Sequence, residues 1–193
     1  MVDDTAGEKA GFRHETSRLI LRDWTEADWP RFFESTNTPA VMRWLGGLLD
    51  DQSAAAARSR LEQYREQHGH TFWVVERKSD GAILGFCGLK RSNQSGGPMG
   101  MMEVGWRLRE DAWGHGYARE GAAASLDLAF ATFGADEVIA LTVEGNEPSW
   151  GLMIRLGMER RKDLDFANSD FDSETGKIIV YSINAASWEA NNG

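Results

Sequence analysis

"AWGHGYAREGAAASL" spans Ala112 to Leu126 and sets Gly114, Gly116 and Gly121 around the front of what otherwise reads as a helix, with only a methyl group at Ala118. Free N–H groups and the positive end of the helix dipole make such a helix front a phosphate site, and glycines let an anion come close to the backbone. A turn followed by a helix packed tightly on a sheet calls for the same residues. The stretch alone leaves both readings open, so the rest of the chain has to decide.

Outward from it, Ala122, Leu126, Ala129, Phe130 and Phe133 keep the spacing of one buried helical face, which Gly134 ends. "VIALTV" (138–143) is an unbroken apolar run, as expected of a strand covered on both faces. "NEPSWGLMIRLG" (146–157) reads as a helix that stops at Gly157. A polar stretch (163–176) precedes a last strand, "KIIVYSI" (177–183). On the other side, "MMEVGWRL" (101–108) reads as a strand in which Gly105 marks a bulge or a close approach of another group. "TFWVVERK" and "AILGFCGLKR" form a hairpin around Ser79-Asp80-Gly81. A helix rich in good formers fills 50–69 and ends at Gly69. "RLILRDW" (18–24) is a strand, after which Thr25 is placed to cap a helix carrying Asp28 in its first turn. Residues 1–14 are polar and expected to be a flexible segment, with one domain over 15–188. The order β-α-α-β-β-β-α-β-α-β-β gives a mixed α/β domain with a central sheet.

Composition narrows the function. The chain has 193 residues, 41% of them hydrophobic, which suffices for one domain with a sizeable core. A net charge of -9 argues against a nucleic-acid or anionic-membrane partner and favours amine-bearing ones. The one cysteine, Cys87, lies in an apolar run and reads as a small buried residue rather than a nucleophile, and a reducing cytoplasm is the expected home. No stretch reaches the roughly 18–20 apolar residues of a membrane span, and the polar start lacks the apolar region of a signal peptide. A dinucleotide-binding Gly-x-Gly-x-x-Gly fails because Arg119 stands at its third glycine, and no Gly-Lys-Ser/Thr of a Walker loop occurs.

Three stretches together, "ETSRLILRDWTEAD" (15–28), "EVGWRLREDAWGHGYAREG" (103–121) and "NEPSWGLMIRLGM" (146–158), resemble the GNAT superfamily of acyl-CoA-dependent N-acyltransferases. Within it they resemble the Rim-type ribosomal-protein N-terminal acetyltransferases, over about residues 15 to 185. The resemblance implies a GNAT fold, a mostly antiparallel twisted sheet splayed at two neighbouring strands with helices on both faces. It implies acetyl-CoA as co-substrate, no metal, and a small-molecule or peptide amine as acceptor, with a homodimer among the assemblies it allows. The family's pyrophosphate loop falls on Trp113, Gly114, His115, Gly116, Tyr117 and Ala118, with Trp113 where an Arg or Gln is usual. Arg119 would pair with a phosphate or cover the helix flank, and His115 reads as a solvated loop residue rather than a catalytic one. Pantetheine would lie beside the strand 103–108 like an extra strand, with Trp106 and Leu108 as backbone partners and Gly105 marking the bulge. Asn146 would contact the cofactor arm or merely cap its helix.

Acetyl transfer to an amine needs a base for the ammonium proton and an acid for the leaving thiolate. Glu103 is the candidate base, or else an outward-facing strand carboxylate. Many members of the superfamily carry a tyrosine acid where this chain has Met153, so Ser149, one turn after Asn146, is the candidate acid. Trp44 and Trp73 are expected at the acceptor pocket. The run Asp163, Asp165, Asp170, Asp172 and Glu174 reads as solvated loop charge that would otherwise draw a cationic amine to the rim. The competing expectation is a catalytically silent acyl-CoA-binding sensor.

Overall fold

A computed structural model describes residues 11–168 and 177–192. Strands β1 (Arg13–Glu15) and β2 (Leu19–Arg22) form a hairpin and are followed by α1 (Asp28–Thr36), the short α2 (Pro39–Met42) and α3 (Asp51–His68). Next come β3 (Phe72–Arg77), β4 (Ile83–Arg91) and β5 (Met102–Leu108), a meander, then α4 (Tyr117–Ala131) and β6 (Glu137–Val143). The chain closes with α5 (Glu147–Arg155), β7 (Glu159–Arg160), β8 (Ile178–Asn184) and α6 (Ala185–Asn192). All eight strands share one sheet, ordered β1-β2-β3-β4-β5-β6-β8-β7 and antiparallel except for β5 against β6.

The main core lies between the sheet and α4, α5 and α6, where Leu19, Leu21, Trp73, Val75, Cys87, Leu89, Val104, Leu126, Met153 and Trp188 pack together. A smaller cluster of Ile139, Val143, Phe166, Ile178 and Val180 covers the other face of β6 and β8, with Trp44 against it. On that face of β3 and β4 sits α1. It is held by Arg22, which donates to both oxygens of Asp28 (2.7 and 2.9 Å) and to Glu76 (2.7 Å), and by Trp24 stacked on Trp29 at 3.9 Å. No helix of the described residues is long and apolar enough to cross a membrane.

The local signals hold for α3, where Asp50 accepts from Ser53 N–H and Gly69 takes φ 72° at the end. Several expectations need correction. Arg13 and His14 belong to strand β1, so the segment expected to be flexible is ordered at its end; residues 1–10 lie outside the described residues. Thr25 does not cap α1; its N–H and hydroxyl both donate to the Asp28 carboxylate, at 2.7 and 2.8 Å, so the acid plays the capping role in reverse. Gly105 marks no bulge, since β4 and β5 pair in unbroken register through Gly88 and Gly105, and the irregularity lies between Val75 and Glu76. The missing side chain at Gly105 instead makes room for the Phe72 ring, 2.7 Å from where a Cβ would stand.

Candidate active site

A 3₁₀ turn after β5 delivers the chain to Trp113, and Gly114 and Gly116 then take φ 78° and 80°, the left-handed region open to glycine without strain. The first turn of α4 leaves the N–H groups of Tyr117, Ala118 and Arg119 without acceptors inside the helix. Trp113, Gly114, His115, Gly116 and Arg119 are exposed there, while Tyr117 and Ala118 are half-buried. Gly121 serves the other purpose, close packing: a Cβ on it would meet the Cys87 Cβ at 3.3 Å. The packing reading thus holds at Gly121, while Gly114 has no atom near a built Cβ and Gly116 only the Arg18 guanidinium, so the helix front stays open.

The rim of this turn is cationic. Arg18, from the β1–β2 turn, donates to the His115 carbonyl (2.9 Å) and to Glu120 (2.7 Å), and its guanidinium lies 4.7 Å over the Tyr117 ring. Arg18, Arg119 and Arg155 border a cleft of about 650 Å³ between the front of α4 and the end of α5. Trp113 turns its indole N–H onto the Leu108 carbonyl at 2.9 Å.

Beside the turn the sheet opens. β5 and β6 pair only at Met102 with Val138 and Glu103 with Ile139, then diverge. Arg109 N–H donates to the Leu84 carbonyl (2.8 Å) while Gly85 faces Leu108 across the strands, which makes that a non-hydrogen-bonded pair. By alternation, Arg107 exchanges its bonds with Phe86, and the backbone groups of Trp106 and Leu108 point into the opening. The Leu108 carbonyl already holds the Trp113 indole, which leaves its N–H; Trp106 offers both groups.

Glu103 closes the narrow end, 5% exposed. Burial pushes its carboxyl pKa up, and Lys90 and Ser92 only partly pull it back. The Lys90 ammonium stands 3.5 Å from Oε2, an ion-pair distance without hydrogen-bond alignment, so that oxygen has no hydrogen-bond partner among the described residues. It is not the outward-facing carboxylate that a strand position also allows. At the entrance to α5, Asn146 does not cap the helix; its Nδ2 donates to Thr142 Oγ1 at 3.0 Å. The Ser149 hydroxyl is half-buried and makes no hydrogen bond among the described residues, whereas Met153, 1% exposed, lies within the main core.

The sequence matches the acetyltransferase (GNAT) domain family over residues 18–159. The chain belongs to the GNAT family. The uncharacterized protein YkkB of Bacillus subtilis is 30% identical to this GNAT domain over 153 residues, 77% of this chain and 86% of that one. An acetyltransferase of Agrobacterium tumefaciens has a solved structure that covers 90% of this chain and 94% of its own, with TM-score 0.75 and 25% identity. The ribosomal-protein-S5-alanine acetyltransferase of Vibrio fischeri overlays 92% of this chain and 98% of its own with TM-score 0.69, and at 18% identity it shows the shared fold alone.

In this GNAT domain two expected acceptor residues separate. Trp73 is fully buried in the main core, stacked on Phe12 at 4.2 Å, which leaves it no surface for an acceptor. Its strand position put it on the face opposite Glu103. Trp44 is half-buried against the cluster of Ile139, Val143, Phe166, Ile178 and Val180, with the Arg43 guanidinium 4.7 Å from its ring centre. Cys87 is buried beside Ser125 and its thiol is pushed up to about 12 by burial, which removes it as a nucleophile. Asp163 pairs with Arg161, and Asp165 with Arg160 and Lys177, so both serve the local fold; Asp170, Asp172 and Glu174 lie outside the described residues. Sequence reasoning missed Arg18, Lys90 and Arg107, which sit at the turn and the opening through contacts 13 to 97 residues away in sequence. Among the described residues no cluster of three His, Cys, Asp or Glu is placed to hold a metal.

Proposed function

We propose that this domain transfers an acetyl group from acetyl-CoA to a primary amine by direct attack. The observation that carries the reading is the joining of two features: an opening between β5 and β6 with unpaired backbone groups, and a helix front with open N–H groups ringed by arginines. The loop Trp113–Ala118 and Arg119 would hold the pyrophosphate by N–H groups and charge. Trp106, the Leu108 N–H and Asn146 would hold the pantetheine arm. The donor supplies a thioester carbonyl. Glu103, directly or through water, takes the proton of the ammonium; the freed nitrogen pair forms the C–N bond, the C–S bond breaks, and Ser149 gives a proton to the thiolate. The half-buried Trp44 would border the acceptor. The grouping with Rim-type enzymes rests on the sequence resemblance.

The test is thiol release from acetyl-CoA over a panel of amines, run with wild type and Ser149→Ala beside acetyl-CoA affinity by calorimetry. Turnover of at least one amine is expected. Ser149→Ala should lose more than tenfold in kcat with Kd nearly unchanged, because the bond strengthens only as charge develops on sulfur, and such donors contribute about 10²–10⁴-fold. Acetyl-CoA binding without turnover of any amine would make the protein a sensor.

A further inference from the structure

Along β5 the side chains of Glu103, Gly105 and Arg107 share the face turned to α1. Arg107 is 9% exposed, and its Nε and Nη2 have no hydrogen-bond partner among the described residues. The Phe32 ring lies 4.9 Å from its guanidinium carbon, and its cross-strand neighbour Phe86 stacks on Phe72 at 4.9 Å. The chain carries 30 carboxylate side chains against 21 lysines and arginines, and other arginines readily find them. Arg22 holds Asp28 and Glu76, and Arg160 holds Asp165. An unpaired guanidinium taken out of water is strongly unfavourable, and no carboxylate of the described residues supplies its counter-ion.

The orphaned pair of nitrogens identifies that ion. Nε and Nη2 lie on one edge of the guanidinium and present parallel N–H bonds that match a planar carboxylate. Elsewhere in this protein that edge forks onto carboxylates: Arg77 on Asp80 at 2.9 and 2.6 Å, and Arg161 on Asp163 at 3.0 and 2.8 Å. At Arg107 the fork is present and no carboxylate of the described residues fills it. The residue stands four positions beyond Glu103, the last residue paired with β6, hence in the splayed part of the strand and roughly 13 Å along it. Glu103 and Arg107 thus share one face of β5, a carboxylate at one end and a guanidinium at the other, with the Phe72 ring over Gly105 between them.

We propose that Arg107 anchors a carboxylate of the acceptor, so that the substrate is an amine bearing its own carboxylate, a free amino acid or a short peptide. The inference rests on the acyl-transfer reading for the amine end. Burial pulls the guanidinium pKa down to about 10, which leaves it a cation at neutral pH. Arg107 is a specificity-determining residue; it takes no part in the proton transfers.

The experiment compares acetylation of amino acids, their carboxamides and their decarboxylated amines by wild type, Arg107→Gln and Arg107→Lys. Wild type should favour the carboxylate member of each trio at least tenfold in kcat/KM, chiefly through KM. Arg107→Gln should erase the gap, and Arg107→Lys should restore part of it, the ammonium supplying charge without the fork. Acetyl-CoA affinity of each variant reports that the fold persists. Equal use of neutral and carboxylate amines, or a gap that survives in Arg107→Gln, overturns the anchor and leaves acyl transfer standing. Where no amine is turned over, the acyl-transfer reading falls, and the N-acetyl amino acids and their amides are titrated by calorimetry in the presence of CoA. Tighter carboxylate binding by wild type but not by Arg107→Gln then sustains the anchor, and equal binding overturns it.

Discussion

As the proposed base, Glu103 faces two opposed demands, and the same burial sets both. A base must be ionised to accept a proton, yet burial disfavours its charged form and raises its pKa, with Lys90 and Ser92 opposing the shift. The acid limb of kcat/KM should therefore lie above the ordinary carboxylate range of about 4.3. For stability, a raised folded pKa means that this group's contribution is fully present below the unfolded pKa and is lost as pH rises through the folded one. Glu103→Gln is neutral throughout, and Lys90 keeps the Asn93 carbonyl at 3.3 Å as a partner. The variant should lose about 10²–10⁴-fold in kcat/KM. Its melting temperature by scanning calorimetry should equal or exceed that of wild type at pH 8 and lose the advantage at pH 4. A variant that melts lower at pH 8 would mark Glu103 as structural. Met153 is the contrasting residue: it is fully packed in the core, so a tyrosine there meets an occupied space rather than a reacting sulfur.

At the scale of the element, the front of α4 shows why glycine was legible and its surroundings were not. Gly116 stands at φ 80° with Arg18 Nη2 3.4 Å from a built Cβ, so valine there is strained before any ligand arrives. Asparagine tolerates the left-handed region better. Gly116→Asn should retain more of the wild-type melting temperature than Gly116→Val, while both weaken CoA binding by calorimetry. Unaltered affinity in a folded Gly116→Asn would remove the phosphate assignment. The glycine spacing, the face of α4 and both ends of α3 follow from local rules, so the sequence shows them directly. Arg18 clamps the same turn through Glu120 and the His115 carbonyl, about a hundred residues away, and no window of sequence contains that contact. Trp73 was misplaced for a related reason: period-two alternation names two faces of a strand without saying which one turns to the core. Gly105 was readable only as an alternative, because a bulge and the approach of Phe72 leave the same mark.

For the whole molecule, the splay divides the sheet into β1–β5 and β6–β8, joined edge to edge at two residue pairs and bridged by the helices of the main core. A cofactor arm lying in the opening would join the halves as an added strand and fix the α4 front at once. Binding to the folded state alone stabilises by about 2.7 kcal/mol at a hundredfold excess over Kd. At roughly 2–4 °C per kcal/mol for a chain of this size, saturating CoA should raise the melting temperature by about 5–10 °C. Any ligand of the fold would do as much, so hydrogen exchange by NMR supplies the sharper reading. The bonding alternation along β5 assigns each amide a direction: Trp106 and Leu108 toward the opening, Arg107 toward Phe86 of β4. CoA should slow exchange at Trp106 and Leu108 and at the first-turn amides of α4. Arg107, already bonded within the sheet, should follow only the general gain in stability. Equal slowing at all three β5 amides would mean that CoA tightens the domain without entering the opening, and unchanged rates at Trp106 and Leu108 with protection confined to α4 would place the arm elsewhere. Because the expected extra protection alternates between adjacent residues of one strand, no uniform change in dynamics reproduces it.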